Sequence, residues 1–344
     1  MSQVISFQAA LARASRPEKR YLLLGNGFST ALFHDIFSYR SLKEEADLSS
    51  KPELASAFEK LGTSDFEKVI RALEHSATVA GCYGAATEFI AKLKADAQAL
   101  KSILVSTIAS RHPENTAKVS DAQKASCSVF LGNFKKVYTL NYDVLLYWVL
   151  LSNREQRADD IDDGFRLPDG EFGVDYRVFD SPQSPTFFFM HGGLHIYDSG
   201  SETRKYVWND TGRPIMAQVQ AAIDQNLYPL FVAEGSSQQK MTKINHNGYL
   251  SKALRSFEEV CKIKDADLFI FGHGLNDTDE HILSRIRKCG IKRVFVSVYK
   301  GSAENYDTTF ISKAMSLAGS RSSMRPLEVI LFDAESAKVW SNVA

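Results

Sequence analysis

Asn141, Asp143 and His191 are the side chains best placed for chemistry. Asn141 and Asp143 follow the run Tyr138-Thr139-Leu140, and His191 follows Phe187-Phe188-Phe189-Met190. An amide donates and accepts at once, so it can orient a water or a sugar hydroxyl. A histidine titrates near neutrality, which suits a general base or a hydroxyl-holding group. Two glycine-rich turns accompany them: Gly25-Asn26-Gly27-Phe28-Ser29 after Leu22-Leu23-Leu24, and Gly272-His273-Gly274 after Phe269-Ile270-Phe271. Glycine allows a tight turn, and a helix starting there lets backbone N–H groups meet an anion. The first turn is not a full dinucleotide fingerprint, because Thr30 stands where its third glycine would fall.

Each of these features also has a plainer explanation. Asp143 is a favoured N-cap residue. His191 could bond only to backbone, and the first glycine turn could serve geometry alone. Asp279 and Glu280 read as acidic residues capping a helix start, and His273 and His281 as exposed or structural side chains. His195 could share a metal with His191 only if 191–195 were helical, and Gly192 and Gly193 oppose that, so no metal is expected.

Elements must carry these residues to one place. Runs at 20–25, 137–140, 186–190, 267–271, 293–299 and 328–332 are short and continuously apolar, as strands buried on both faces are. Helical patterns alternate with them, which predicts an α/β fold with a mostly parallel sheet. In such a sheet ligands bind at the carboxyl ends of the strands. A helix is predicted from Ser29, with Leu32, Phe33, Ile36 and Phe37 on one face. Phe66, Val69, Ile70 and Leu73 have amphipathic helical spacing, with Ser64 and Glu67 as a capping box. A further helix is predicted over 85–109. Residues 47–130 are too long for a simple crossover and read as an inserted helical lobe. A helix over 144–152 is apolar nearly all round, which implies burial. Residues 153–262 read as a partly irregular insert carrying the third strand. Within it 153–185 suggests loops or a small hairpin, Ile215 starts a helix, and Gly235-Ser236-Ser237 is a loop. The stretch 228–250, with Glu234, Lys240 and Lys243, is a candidate to line the crevice, with no role assigned to its residues. Helices are predicted over 278–288 and 303–318.

Composition sets the class. The 344 residues are 44% hydrophobic and 24% charged, with 41 Lys plus Arg against 41 Asp plus Glu. Zero net charge argues against non-specific nucleic-acid binding. The first twenty residues hold no secretory apolar core, and the longest apolar run, 144–151, is too short to span a bilayer. A cytoplasmic protein without membrane attachment is expected. Cys82, Cys127, Cys261 and Cys289 form no C-x-x-C pair, so no structural zinc is indicated. Hydride transfer is a poor fit. It calls for an acidic residue about 20 positions after the glycines, and Glu44 and Glu45 lie in the predicted first helix or at its end.

In order, Gly25-Asn26-Gly27-Phe28-Ser29, Thr139-Leu140-Asn141-Tyr142-Asp143, His191-Gly192 and Gly272-His273-Gly274 resemble the segments of sirtuin-like NAD-consuming proteins. The chain looks closer still to a bacterial branch near the sirtuin-like NAD hydrolases of anti-phage defence. Phe37-Ser38-Tyr39-Arg40-Ser41-Leu42, Asp65-Phe66-Glu67, Glu234-Gly235-Ser236-Ser237 and Asp279-Glu280-His281-Ile282 share in that likeness. The resemblance spans nearly the whole chain and implies a Rossmann-like, sirtuin-like domain with the helical lobe inserted. Sirtuin deacylases carry a four-cysteine zinc module that is missing here, so the resemblance implies NAD hydrolysis more than lysine deacylation. NAD would be a substrate, with residues 25–29 on its pyrophosphate and 272–274 toward its adenosine half. Asn141 would orient water or the nicotinamide ribose. His191 would contact ribose hydroxyls and assist as a base, and Asp143 would hold the nicotinamide side or the Asn141 loop. The resemblance also implies a homo-oligomer, with a partner ATPase or a phage-derived trigger among its possible associates. A protein deacylase, an ADP-ribosyltransferase and a non-catalytic nucleotide sensor are the other expectations.

Overall fold

The computed structural model describes residues 3–152, 161–170, 174, 176–180, 185–207, 212–225, 227–233, 235–288, 290–301, 303–319 and 326–340. Cys289 and Glu234 lie outside the described residues, as do 153–160 of the predicted loop region. Eleven strands are described: β1 (Val4–Ile5), β2 (Arg20–Leu24), β3 (Lys136–Thr139), β4 (Phe165–Arg166), β5 (Tyr176–Phe179), β6 (Phe187–Phe189), β7 (Ile196–Asp198), β8 (Thr203–Tyr206), β9 (Asp267–Phe271), β10 (Arg293–Val298) and β11 (Glu328–Asp333). Seven of them form one sheet in the order β1-β11-β10-β9-β2-β3-β6. All its pairs are parallel. The chain is thus α/β with a Rossmann-like arrangement.

The register decides where chemistry can occur. Leu24 pairs with Phe271 on one side and Thr139 on the other, and Thr139 pairs with Phe189. The turns at 25, 140, 190 and 272 therefore leave the sheet at one level. The chain builds outward from β2 through β3 to β6, then returns to β9 on the other side of β2. Strand order reverses there, and such a switch point opens a crevice at the carboxyl ends.

Residues between β2 and β3 are helical, with helices Pro52–Lys60, Phe66–Cys82, Thr87–Arg111 and Asp121–Leu131. Their buried side chains, among them Leu54, Phe58, Phe66, Val69, Leu100 and Leu104, join the same core as the sheet. The helix Leu145–Ser152 is buried from Leu145 to Leu150, as its all-round apolar sequence requires.

Several expectations are corrected. The single helix from Ser29 is instead three short ones, Gly27–Thr30, His34–Phe37 and Tyr39–Glu45. The backbone leaves helical geometry at Phe33 (φ −132°, ψ 73°) and again at Ser38, which caps the third helix through Ser41. The cap of the helix at Phe66 is Asp65, which accepts from Glu67 and Lys68, and not Ser64. Region 197–262 is more regular than read. It carries helices Ser237–His246 and Gly248–Cys261, and Ser236 starts the first with a capping box to Gln239. The predicted hairpin is part of a four-stranded antiparallel sheet, β4-β5-β8-β7. The amino terminus supplies edge strand β1, paired to β11. The helix predicted over 303–318 runs only over Thr308–Met315, followed by a short 3₁₀ turn. No described helix is long and apolar enough to cross a membrane.

Candidate functional site

A cavity of about 270 Å³ opens where the strand ends meet. Gly25, Asn26 and Gly27 line it from β2, Asn141 and Asp143 from β3, His191 from β6, and Gly272, His273 and Gly274 from β9. Apolar Phe66, Leu104 and Ile108 from the helical lobe form another wall, with Phe37, Tyr39 and Leu42 beside them. Phe28 and Ser29 are buried behind it. Phe28 packs on Trp340 with ring centroids 4.7 Å apart. The structure therefore brings the sequence-predicted residues to one place.

The two glycine turns pack directly on each other. Gly25 N–H donates to the Phe271 carbonyl at 2.9 Å, and Gly27 N–H to the Gly272 carbonyl at 2.7 Å. A Cβ on Gly27 would stand 2.5 Å from Gly272 Cα, and one on Gly25 2.6 Å from His273 Cα. Gly272 itself has φ +68°. These glycines thus serve backbone-to-backbone contact between β2 and β9. Phe28 and Ser29 N–H are also spent, on Gly25 and Asn26 carbonyls. The backbone N–H groups of Gly25, Gly27, Phe28 and Ser29 are therefore already engaged within the protein and are not free to cradle a pyrophosphate as expected. The Asn26 side chain is likewise engaged, donating from Nδ2 to the Phe37 carbonyl at 2.9 Å.

Asn141, Ser29 and Asp143 form a chain. Asn141 Nδ2 donates to Ser29 Oγ at 2.9 Å, and Ser29 Oγ donates to Asp143 Oδ2 at 2.5 Å. Asp143 Oδ1 accepts from Leu145 N–H at 2.9 Å, at the start of the helix Leu145–Ser152, and Asp143 also lines the cavity. Burial raises the Asp143 pKa, against the bonds from Ser29 and Leu145 that favour its anion. Asn141 is left with Oδ1 to offer a ligand.

A second network surrounds His191, and the sequence did not reveal it. His191 Nε2 lies 3.0 Å from His281 Nε2 and 4.0 Å from Asp279 Oδ1. Asp279 is therefore not merely a helix cap. Its Oδ1 meets Lys240 Nζ at 2.9 Å, and its Oδ2 meets His273 Nε2 at 3.0 Å. Leu275 N–H donates to His273 Nδ1 at 2.9 Å, which puts the His273 proton on Nε2, toward Asp279. Lys240, fully buried, also meets Glu67 Oε2 at 2.7 Å. The Tyr142 hydroxyl lies 2.9 Å from Glu67 Oε1 and 2.7 Å from the Val232 carbonyl. His273 and His281 are buried, so the exposed alternative is excluded.

The charges in this network follow from burial and partners. Burial alone would lower the Lys240 pKa, but Asp279 and Glu67 outweigh it and hold the pKa above its ordinary value. Burial pushes Asp279 upward, yet Lys240 and His273 bring it well below the usual carboxylate range. Glu67 is held above its range by burial, opposed by Lys240 and assisted by Asp279. Lys240 thus pairs with both acids, and of the two it favours the anion of Asp279 more strongly. Burial, then Lys240, keeps His191 well below 6.5, and burial brings His281 to about 3. Both imidazoles are neutral at pH 7.

His191, Asp279 and His281 present ligand atoms within 4.8 Å of one another, a spacing a metal could use. Both Asp279 oxygens are already engaged, one by the Lys240 ammonium, and a metal there would face that charge.

Residues 22–340 match the family described as a domain of unknown function (DUF4917). The chain belongs to that family. No curated protein sequence matches it. The family match runs from β2 to Trp340, so it takes in every residue lining the cavity.

A second cavity, of about 880 Å³, lies on the other side of the paired turns. Gly27, Gly272, His273 and Gly274 line both cavities. Ser297, Tyr299, Phe310 and Trp340 are among the residues completing the second. A ligand crossing the two turns would place one end near Asn141 and His191 and the other beside β10.

Proposed function

We propose that the protein is an NAD glycohydrolase, releasing nicotinamide and ADP-ribose, and that it serves bacterial anti-phage defence by depleting NAD. The observation that supports this reading is the convergence of Asn141 and His191 on one cavity at the strand-order reversal, with a larger second cavity sharing Gly27 and Gly272 in its lining. A dinucleotide has the matching form: two nucleoside halves joined by a pyrophosphate.

Nicotinamide would enter the smaller cavity, against the apolar wall of Phe66, Leu104 and Ile108. The C–N bond to ribose breaks with its electron pair passing to the pyridinium nitrogen, which becomes neutral. No strong general acid is needed. The anomeric carbon takes on oxocarbenium character, as in glycoside hydrolysis. Water adds to that carbon through its oxygen lone pair and passes its surplus proton to solvent. Asn141 Oδ1 would orient this water or the ribose, because Nδ2 is held by Ser29. His191 would meet the ribose hydroxyls, and ionised Asp279 would supply negative potential near the developing cation.

The test is incubation of the purified protein with NAD, following nicotinamide and ADP-ribose by chromatography beside Asn141→Ala and His191→Ala. Release by the parent protein that both substitutions abolish is expected. Undiminished release from the two folded variants would sink the reading. Release that depends on an acylated peptide would point to a deacylase or ADP-ribosyltransferase. Calorimetric binding without release would point to a sensor. A phage-derived trigger, a partner ATPase or homo-oligomer assembly would be sought by adding infected-cell extract and by sedimentation.

A further inference from the structure

The His191–His281 contact has a direction. The Nε2 atoms are 3.0 Å apart, the rings are inclined by only 19°, and their centroids are 5.2 Å apart. That separation is close to the nitrogen distance plus one ring radius on either side. Both nitrogens therefore lie near the line joining the rings, the geometry of a straight N–H···N hydrogen bond. Two neutral imidazoles can share such a bond only if one donates and the other accepts.

His281 Nδ1 decides which. It is buried and has no hydrogen-bond partner among the described residues. If His281 accepted at Nε2, its proton would sit on Nδ1, leaving a buried N–H with nothing to bond. If His281 donates from Nε2, Nδ1 is a bare lone pair instead. Orphaned buried N–H groups are rarer in proteins than under-used acceptors. The donor arrangement is therefore favoured. His191 then accepts at Nε2 and carries its own proton on Nδ1, for which no hydrogen bond is found among the described residues, in a residue that lines the cavity.

We propose that His281 is a positioning residue that fixes His191 as its Nδ1–H tautomer, so that His191 offers the cavity a hydrogen-bond donor and not a base. The ligand group it suits is an oxygen acceptor, such as a sugar hydroxyl oxygen. This narrows the role expected from the sequence, where base and hydroxyl holder were both open. The titratable and polar groups around the pair come from every adjoining element: Lys240 from the helix Ser237–His246, Asp279 and His273 from the turn after β9, Arg285 from the helix Glu280–Lys288 that carries His281, and Tyr142 from the turn after β3. With Lys240 charged beside it, His191 is kept from taking up a second proton.

The consequence for turnover rests on the NAD reading, but the first readout does not. Two-bond proton–nitrogen correlation spectra of the ¹⁵N-labelled protein distinguish the tautomers of each histidine. His191 is expected with its proton on Nδ1 at pH 7. In His281→Phe the pattern should become mixed or reversed, and in His281→Gln, whose amide can still donate, it should return. A parent protein with the His191 proton on Nε2 would overturn the proposal, and so would a spectrum unchanged in His281→Phe. Stoichiometric Zn²⁺ uptake that His191→Ala abolishes would overturn it too, replacing the N–H···N contact by a shared metal. With NAD, His281→Phe should slow nicotinamide release roughly tenfold or more, with most of the rate recovered in His281→Gln. Full activity in His281→Phe despite an altered tautomer would end the positioning role. The expected spectrum with no release from the parent protein would refute the NAD reading alone and leave the histidine pair standing.

Discussion

Two buried clusters in this molecule look alike by composition and differ in what they can do. One contains Lys240, Asp279, Glu67 and His191. The other contains Lys205, Asp163, His195 and Tyr147. Each holds a fully buried lysine paired to a carboxylate, and each holds a buried, neutral histidine. His195 is shut between rings, stacked on Tyr147 at 4.6 Å and edge-on to Phe189 at 4.6 Å, and neither of its ring nitrogens has a hydrogen-bond partner among the described residues. Lys205 lies over Tyr147 and Phe165 at 4.5 and 5.1 Å. His191, four residues earlier, reaches the cavity instead and is held by a second histidine. Burial of charge thus does not mark a site. Contact with a cavity at the strand ends does.

Substitutions in matched pairs would sharpen that contrast. His191→Ala should cut nicotinamide release about a thousandfold, the scale expected for a group that meets the reacting sugar. His195→Phe should leave it within about twofold, because His195 contributes packing only. Comparable losses in both would erase the distinction.

The lysines come next. Lys240→Met leaves two buried carboxylates without their cation and should cost about 3–5 kcal/mol of stability by urea titration, together with NAD binding. Lys205→Met should lower stability on a similar scale while NAD binding by calorimetry stays unchanged.

Acid should weaken the fold through both clusters and through His112, a histidine buried against Phe37 and Trp148. The folded-state pKa is about 4 for His112 and about 3 for His281, and those of His191 and His195 lie well below 6.5, with burial the leading cause in each case. Below about pH 6.5 the unfolded chain binds protons that the folded chain refuses. The stabilisation is complete above that pH and is lost as pH falls toward the folded values. Raised Asp65, Glu67 and Asp143 act the other way at the acid end, because they take up protons while folded. Urea midpoints should fall between about pH 7 and about pH 5. A flat profile would contradict neutral burial.

The smallest effects separate glycines. Gly27→Ala drives a Cβ into Gly272 and should cost about 1–3 kcal/mol. Gly81→Ala, in the lobe helix, meets nothing closer than Ile90 Cδ1 at 3.7 Å and should stabilise by about 0.4–1 kcal/mol. Thermal melts of the two should move in opposite directions.

The strands were legible because parallel strands buried on both faces read as unbroken apolar runs. Asp267–Phe271 coincides with its predicted bounds, and the glycines beyond it mark its end. The helix Ser237–His246 was not legible, because its sequence is mostly polar and its key buried side chain is a lysine. Its one local sign was the Ser236–Gln239 capping box. Asp279 was misread for a related reason. An acidic residue at a helix start has a sufficient local explanation in the dipole, and nothing nearby in sequence points to Lys240 or His273.

By itself the sequence determined the α/β class, the strand ends and the candidate residues Asn141, Asp143 and His191, since these depend on hydrophobic pattern and on breaks in it. Tertiary structure alone decided that Gly27 and Gly272 touch, that His281 holds His191, and that one lysine joins the helical lobe to the turn after β9. Lys240 meets Glu67 across 173 residues and Asp279 across 39. Such pairings are set by how strands are ordered in the sheet, and local pattern carries no record of that order.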